Sequence, residues 1–226
     1  RGAIDFESTE VQFRFDERGA VEDIVPYERN DAHMLIEECM ITANVEAANF
    51  LLRQHIPAPY RAHEPPPPDK LEALEQFLRG LGIRVPWKGR PEPRQFEQIV
   101  QQVKGREDQH LVMAVLLRAQ SLASYQADNT GHFGLALAAY AHFTSPIRRY
   151  PDLLVHRAIH HVLAQRGARG YPLEREQMEK LAEQCSHRSR RAEEAERDVN
   201  ERLKAIFMER HIGDDFKGQV TGVTSF

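Results

Sequence analysis

Residues 142–152 run HFTSPIRRYPD, and an apolar helical pattern follows at once: Leu153, Leu154, Ala158, Ile159, Val162, Leu163. Ser145 or Thr144 before Pro146 is a helix start, with an oxygen to cap it and a proline in the first turn, where a missing N–H costs nothing. Arg148 and Arg149 then face the positive end of the helix dipole, a repulsion of about 0.3–1 kcal/mol each. Free helical N–H groups and two guanidinium forks make a site for a phosphate or carboxylate. Pro151 interrupts the ladder again, so Tyr150 is expected to be extended, with the helix resuming at Asp152. Pairing of both arginines with acids of the same fold explains them equally well.

Two other places carry polar residues where apolar ones dominate. Glu37 and Glu38 lie inside HMLIEECMITANV, so at least one carboxylate is expected near a protein interior, where it needs a cation or a donor. General base, metal ligand and acceptor for a ribose hydroxyl are the functional readings, and a structural ion pair with an arginine is the other. Glu196 lies beside the apolar seam of a long helix and is expected to point toward its packed side; snorkelling to the edge is the alternative.

His156 and His160 are four apart, like some zinc pairs, but lack a third ligand at useful spacing. Cys39 and Cys185 sit in apolar helical surroundings with no partner spacing, as reduced core thiols of a cytosolic protein would. No glycine-rich phosphate loop, serine elbow, CxxC pair or aspartate cluster for two-metal chemistry occurs.

At 226 residues, 41% hydrophobic and 28% charged, the chain has an ordinary globular composition and room for a real core. No apolar run approaches the roughly 20 residues of a membrane span. The net charge of −4 argues against nucleic acid only as a sum. Between His142 and Gly170 there are five arginines against one acid, Asp152, which leaves a local basic face compatible with a phosphate ligand.

The elements that must hold these residues follow from pattern. Residues 2–6 have strand composition, and 11–25 form a hairpin about DERGA. Asn30 or Asp31 caps a helix reaching about Gln54. IPAPYRAHEPPPPD is an extended connector, because its prolines forbid helix. Asp69 caps the next helix, and residues 94–104 and 108–122 form two more. GHFGLALAAYAHF fits a buried strand or a helix equally. The helix after the arginine motif runs to about Ala164. A long helix spans about Glu174 to Arg210 with Met178, Cys185, Ala192, Val199 and Ile206 recurring every seven residues. Residues 216–226 alternate like a strand. The class is α+β: antiparallel strands, a large helical layer, then the start of another β unit.

GHFGLALAAYAHFTSPIRRYPDLLVHRAI resembles the signature of the RNB-type exoribonucleases (the ribonuclease II superfamily), and the likeness extends through NDAHMLIEECMITANVEAA and RRAEEAERDV. It implies that residues 1–211 are the C-terminal part of an RNB catalytic domain and that residues 212–226 begin an OB-fold. It implies processive 3′→5′ hydrolysis of single-stranded RNA to nucleoside 5′-monophosphates in a monomeric, cytoplasmic enzyme that needs Mg²⁺ and no membrane. By position in the motifs, Arg148 is the arginine at the scissile phosphate and Phe6 an aromatic closing the base stack, although an ordinary strand-core role also suits Phe6. Glu37 lies near a ribose hydroxyl and Glu196 near the terminal nucleotide. Ser145 and Tyr150 are motif members with phosphate-contact or helix-positioning roles. The magnesium-binding aspartates of the family are expected upstream of residue 1. A non-catalytic RNA-binding or scaffold relative is the competing reading.

Overall fold

The computed structural model describes residues 3, 4, 11–165, 167–218 and 220. Strands β1 (Val11–Phe15) and β2 (Val21–Pro26) pair antiparallel as the hairpin the sequence predicts. Its turn is closed by Asp16, whose Oδ1 accepts from Arg18 N–H and Ala20 N–H, while Gly19 takes a φ of +77° that a side chain would oppose. Helix α1 (Asp31–Arg53) starts at Asn30, whose Oδ1 accepts from His33 N–H as His33 Nδ1 accepts from Asn30 N–H.

The first half of α1 corrects an expectation. Only Asn44, Ala47, Ala48 and Leu51 of this helix are buried. Cys39 is exposed rather than a core thiol, and Leu35 and Ile36 are 64% and 58% exposed. Apolar residues at consecutive positions point in different directions around a helix, so they do not by themselves say where a core lies.

Helix α1 runs into strand β3 (Tyr60–Ala62), inside the proline-rich connector. It pairs antiparallel with β4 (Ser124–Gln126), setting Arg61 opposite Tyr125. Between them, α2 (Pro68–Gly80), α3 (Pro93–Val103) and α4 (Gln109–Ala119) bury Leu74, Leu78, Phe96, Ile99 and Leu116 together, with Trp87 stacked on Phe96. Asp69 does not cap α2. The helix begins at Pro68, two residues before the start that an Asp69 cap would give, with Pro67 at the cap and no side-chain capping bond. GHFGLALAAYAHF is neither long strand nor helix: it is a tight turn closed by paired His132 and Leu137, with Ala136 at φ 53°.

Helix α5 (Tyr150–Gln165) packs Val155, Ala158 and Val162 on Ala48 and Leu51 of α1. Removing most of Leu51, fully buried there, would cost about 2–5 kcal/mol. Helix α6 (Arg175–Met208) carries the seven-residue seam, but only its first third is packed. Met178, Ala182 and Cys185 are buried, whereas Val199 and Ile206 are 54% and 52% exposed. A short 3₁₀ turn (Glu209–His211) follows. Residues 214–218 and 220 form no regular element, and the rest of the expected final strand lies outside the described residues, as do residues 5 and 6 of the first.

Candidate functional site

The site is built on the segment that joins the apolar core to α5. Asn44, a buried amide in the run MITANVEAA, holds it in place. Its Oδ1 accepts from Phe143 N–H (2.9 Å) and Thr144 N–H (3.2 Å), and its Nδ2 donates to the Tyr140 hydroxyl. Residues 146–148 form one turn, in which Ser145 C=O accepts from the N–H of both Arg148 and Arg149. The helix proper begins only at Tyr150.

This geometry corrects the expected capped start at Ser145. Both arginines precede α5 instead of occupying its first turn. Tyr150 is helical, because Pro151 sits in that first turn and interrupts nothing. The anion at the start of the helix is the protein's own Asp152, which is completely buried. Its Oδ1 accepts from Ser145 N–H (2.7 Å) and from the Arg149 guanidinium (2.8 Å). Arg149 is therefore matched by a protein carboxylate, whereas Arg148 is exposed and has no ion pair among the described residues.

A cavity of about 600 Å³ opens beside this turn. Arg148, Tyr150 and Glu196 line it together, three of the residues singled out from the sequence. Cys185, Arg188, Ala192 and Glu196 lie along one face of α6 and supply one wall. The seam residues Cys185 and Ala192 thus face a cavity, which is why Glu196 is solvent-exposed rather than directed at packed apolar surface.

The floor holds residues that sequence reasoning missed. Tyr125 is buried, with its hydroxyl 2.7 Å from His142 Nδ1. Arg61 lies over the Tyr125 ring, 4.8 Å from its centre. Burial, reinforced by Arg149, Arg61, His132 and Arg148, pulls His142 down to about 3, so this imidazole is neutral among arginines. His142 stood within the quoted motif and Arg61 within YRAHEPPPP, but only the β3–β4 pairing brings them to the same place. Ser186 of α6 fixes that pairing from below, its Oγ accepting from Tyr125 N–H at 2.8 Å.

Other expected residues lie elsewhere. Ser145 shapes the turn through its backbone and does not line the cavity. Glu37 is not interior: its side chain is 45% exposed and ion-paired with Arg29, which corrects the expected buried acid. The reason is the exposed first half of α1, whose apolar residues enclose nothing. Phe6 lies outside the described residues. His156 donates from Nε2 to Phe143 C=O and stacks on the Phe143 ring, an ordinary structural role.

Among the described residues, no group of three or more His, Cys, Asp or Glu side chains converges to hold a metal ion. The cavity's acids, Glu193 and Glu196, share it with Arg61, Arg148, Arg149 and Arg188. The described residues therefore do not fit the magnesium that the resemblance implies.

An α+β scaffold presenting an arginine-lined cavity beside HFTSPIRRYPD defines the class. The RNB domain model matches residues 1–165, and the chain belongs to the RNB family. It is 45% identical to Ribonuclease R of Vibrio parahaemolyticus and 44% identical to Ribonuclease R of Escherichia coli, in each case over 100% of this chain and 28% and 29% of the relative. The chain thus spans under a third of the length of these curated relatives. Among solved structures, Mycoplasma genitalium RNase R in complex with ribose methylated single-stranded RNA superposes with a TM-score of 0.90 at 29% identity, covering all of this chain and 36% of that one.

Proposed function

We propose that the full-length protein carrying this chain is a 3′→5′ exoribonuclease of the ribonuclease R kind. In this reading it shortens single-stranded RNA and releases nucleoside 5′-monophosphates. The observation that carries the proposal is the convergence of Arg148, Tyr150 and Glu196 on one cavity in an RNB-family chain. Arg148 has a free guanidinium to offer a phosphate, because no protein acid among the described residues claims it. Glu196 provides an acceptor for sugar hydroxyls on the same wall, and Tyr150 a flat surface for a base. In this reading a Mg²⁺ ion would be held by residues outside these 226, where it would supply an activated water. In this reading the enzyme is monomeric and cytoplasmic; among the described residues no helix is long and apolar enough to cross a membrane.

The test is incubation of 5′-labelled single-stranded RNA with the full-length protein and Mg²⁺. Stepwise shortening from the 3′ end with release of mononucleotides is expected. Internal cleavage, or binding without shortening, would overturn the reading. Residues 1–226 alone are expected to release no mononucleotides, and steady release by a highly purified sample would mean that the metal ligands have been misplaced.

A further inference from the structure

We infer that Arg61 is a second phosphate-binding residue, holding a backbone phosphate of the RNA other than the scissile one while Arg148 holds the scissile one. The inference rests on the reading of the cavity as the RNA site. Three arginines near the cavity floor are placed differently. Arg149 is matched by Asp152. Arg61 and Arg148 both line the cavity, and neither makes an ion pair among the described residues. They come from unrelated elements, Arg61 from β3 and Arg148 from the turn before α5, and Arg188 of α6 lines the cavity with them, also without an ion pair among the described residues, so the fold brings three uncompensated cations to one cavity. A single phosphate satisfies one guanidinium fork, and a polynucleotide offers a second one residue along.

Arg61 is also pre-ordered for this task. The β3–β4 register sets it opposite Tyr125, and its guanidinium rests over that ring. Tyr125 is in turn held by His142 at its hydroxyl and by Ser186 at its backbone. The backbone N–H of Arg61 donates to Tyr140 C=O at 2.9 Å. Stacking on an aromatic face leaves the edge of the guanidinium, where its N–H donors lie, free to meet a phosphate. A side chain already stacked has less freedom to lose when ligand arrives. The neutral imidazole of His142 lies beside it and adds a polar edge without a competing negative charge.

The experiment uses the full-length protein and a set of single-stranded RNAs, each with one neutral methylphosphonate replacing one phosphate. Binding is measured by anisotropy without divalent cation, and chemistry by single-turnover cleavage at saturating RNA. Arg61→Ala is expected to weaken binding of unmodified RNA roughly tenfold to a hundredfold, with a smaller effect on the saturated rate. One methylphosphonate position should weaken wild-type binding by a similar factor and have almost no further effect on Arg61→Ala. Arg61→Lys should restore part of the affinity.

If the two penalties multiply at every position, Arg61 contacts no phosphate and merely braces Tyr125, and the inference fails. Misfolding of Arg61→Ala would not rescue it, because Arg61→Gln, which keeps a planar polar end group on a shorter side chain while removing the charge, must show the same masked position. Should the wild-type protein fail to cleave any RNA, the reading of the cavity is at fault. Should it cleave without the masked position, only the assignment of Arg61 falls.

Discussion

Asp152 and Arg149 close the turn that carries Arg148: Asp152 Oδ1 lies 2.8 Å from the Arg149 guanidinium and 2.7 Å from Ser145 N, so one buried oxygen ties both ends of the segment. The tie leaves Asp152 Oδ2 and Arg149 Nε buried without a partner. Asp152 cannot be truncated without stranding the cation and freeing the turn. Asp152→Ala is expected to destabilise the protein by about 3 kcal/mol, near the lower end for a broken buried pair because Arg149 retains some solvent contact. Asp152→Asn, which keeps an acceptor oxygen for Ser145 N–H, should cost less. Urea unfolding monitored by circular dichroism gives both values, and equal losses would show that the charge is immaterial.

Arg148 should matter to rate more than to stability. A fixed donor aimed at a developing oxyanion is worth about 2.7–4 kcal/mol, or roughly 10²–10³ in turnover. Arg148→Ala in the full-length protein should lose at least that much in single-turnover cleavage while RNA affinity falls far less. Arg148→Lys should recover little, since an ammonium lacks the planar two-pronged contact. Binding lost with the saturated rate unchanged would make Arg148 an anchor only.

That Arg148 is a cation beside a helix start was legible in HFTSPIRRYPD, although it precedes α5 and does not occupy the first turn that the sequence suggested. Its relation to Arg149 was not. Two adjacent arginines look alike until the fold shows that Asp152, three residues after one of them, turns inward. The α-helices α1, α5 and α6 follow from apolar spacing and caps at Asn30 and Glu174. The β3–β4 pair was missed because three-residue strands leave too little alternation to detect, and Tyr60–Ala62 is masked by the prolines around it. Arg61 was lost with it. The burial of Glu37 was misjudged for a different reason: Met34, Leu35 and Ile36 are apolar, but apolar neighbours bury a carboxylate only if something covers them.

Glu37 now has a sharper prediction. Its ion pair with Arg29 is exposed, and exposed pairs contribute about 0–1 kcal/mol. Glu37→Ala should therefore leave the unfolding midpoint nearly unchanged. If Glu37 accepts a hydrogen bond from a 2′-hydroxyl, the same change narrows the preference for RNA over DNA in competition binding. An unchanged preference would leave Glu37 a surface acid, and a shift on Glu38→Ala instead would move the role by one residue.

Acid should weaken the fold through two histidines. Burial holds both His132 and His142 down at about 3, helped by His63 and Arg61 at the first, and by Arg149, Arg61, His132 and Arg148 at the second. In the unfolded chain they titrate near the ordinary value of about 6.5, so the unfolded state binds more protons below that pH. Their contribution is complete above about pH 6.5 and is lost as pH falls toward 3. The thermal midpoint is expected to drop between pH 6.5 and 4, and the double change His132→Gln with His142→Gln should make that drop shallower. An identical slope in the variant would assign the acid sensitivity to other groups.

Helix α6 has a mechanical consequence. Its 34 residues span about 51 Å, yet Met178, Ala182 and Cys185 at one end make its main burial. At the other end, Arg210 of the following 3₁₀ turn donates to Glu22 C=O, so the β1–β2 hairpin is attached there. The helix is thus a lever arm, clamped at its root beside the arginine cavity and loaded at its tip. A tilt of about 5° at the root carries the hairpin roughly 4 Å at this length. A small rotation of α6 about its root is in this way magnified into a displacement of the β1–β2 hairpin.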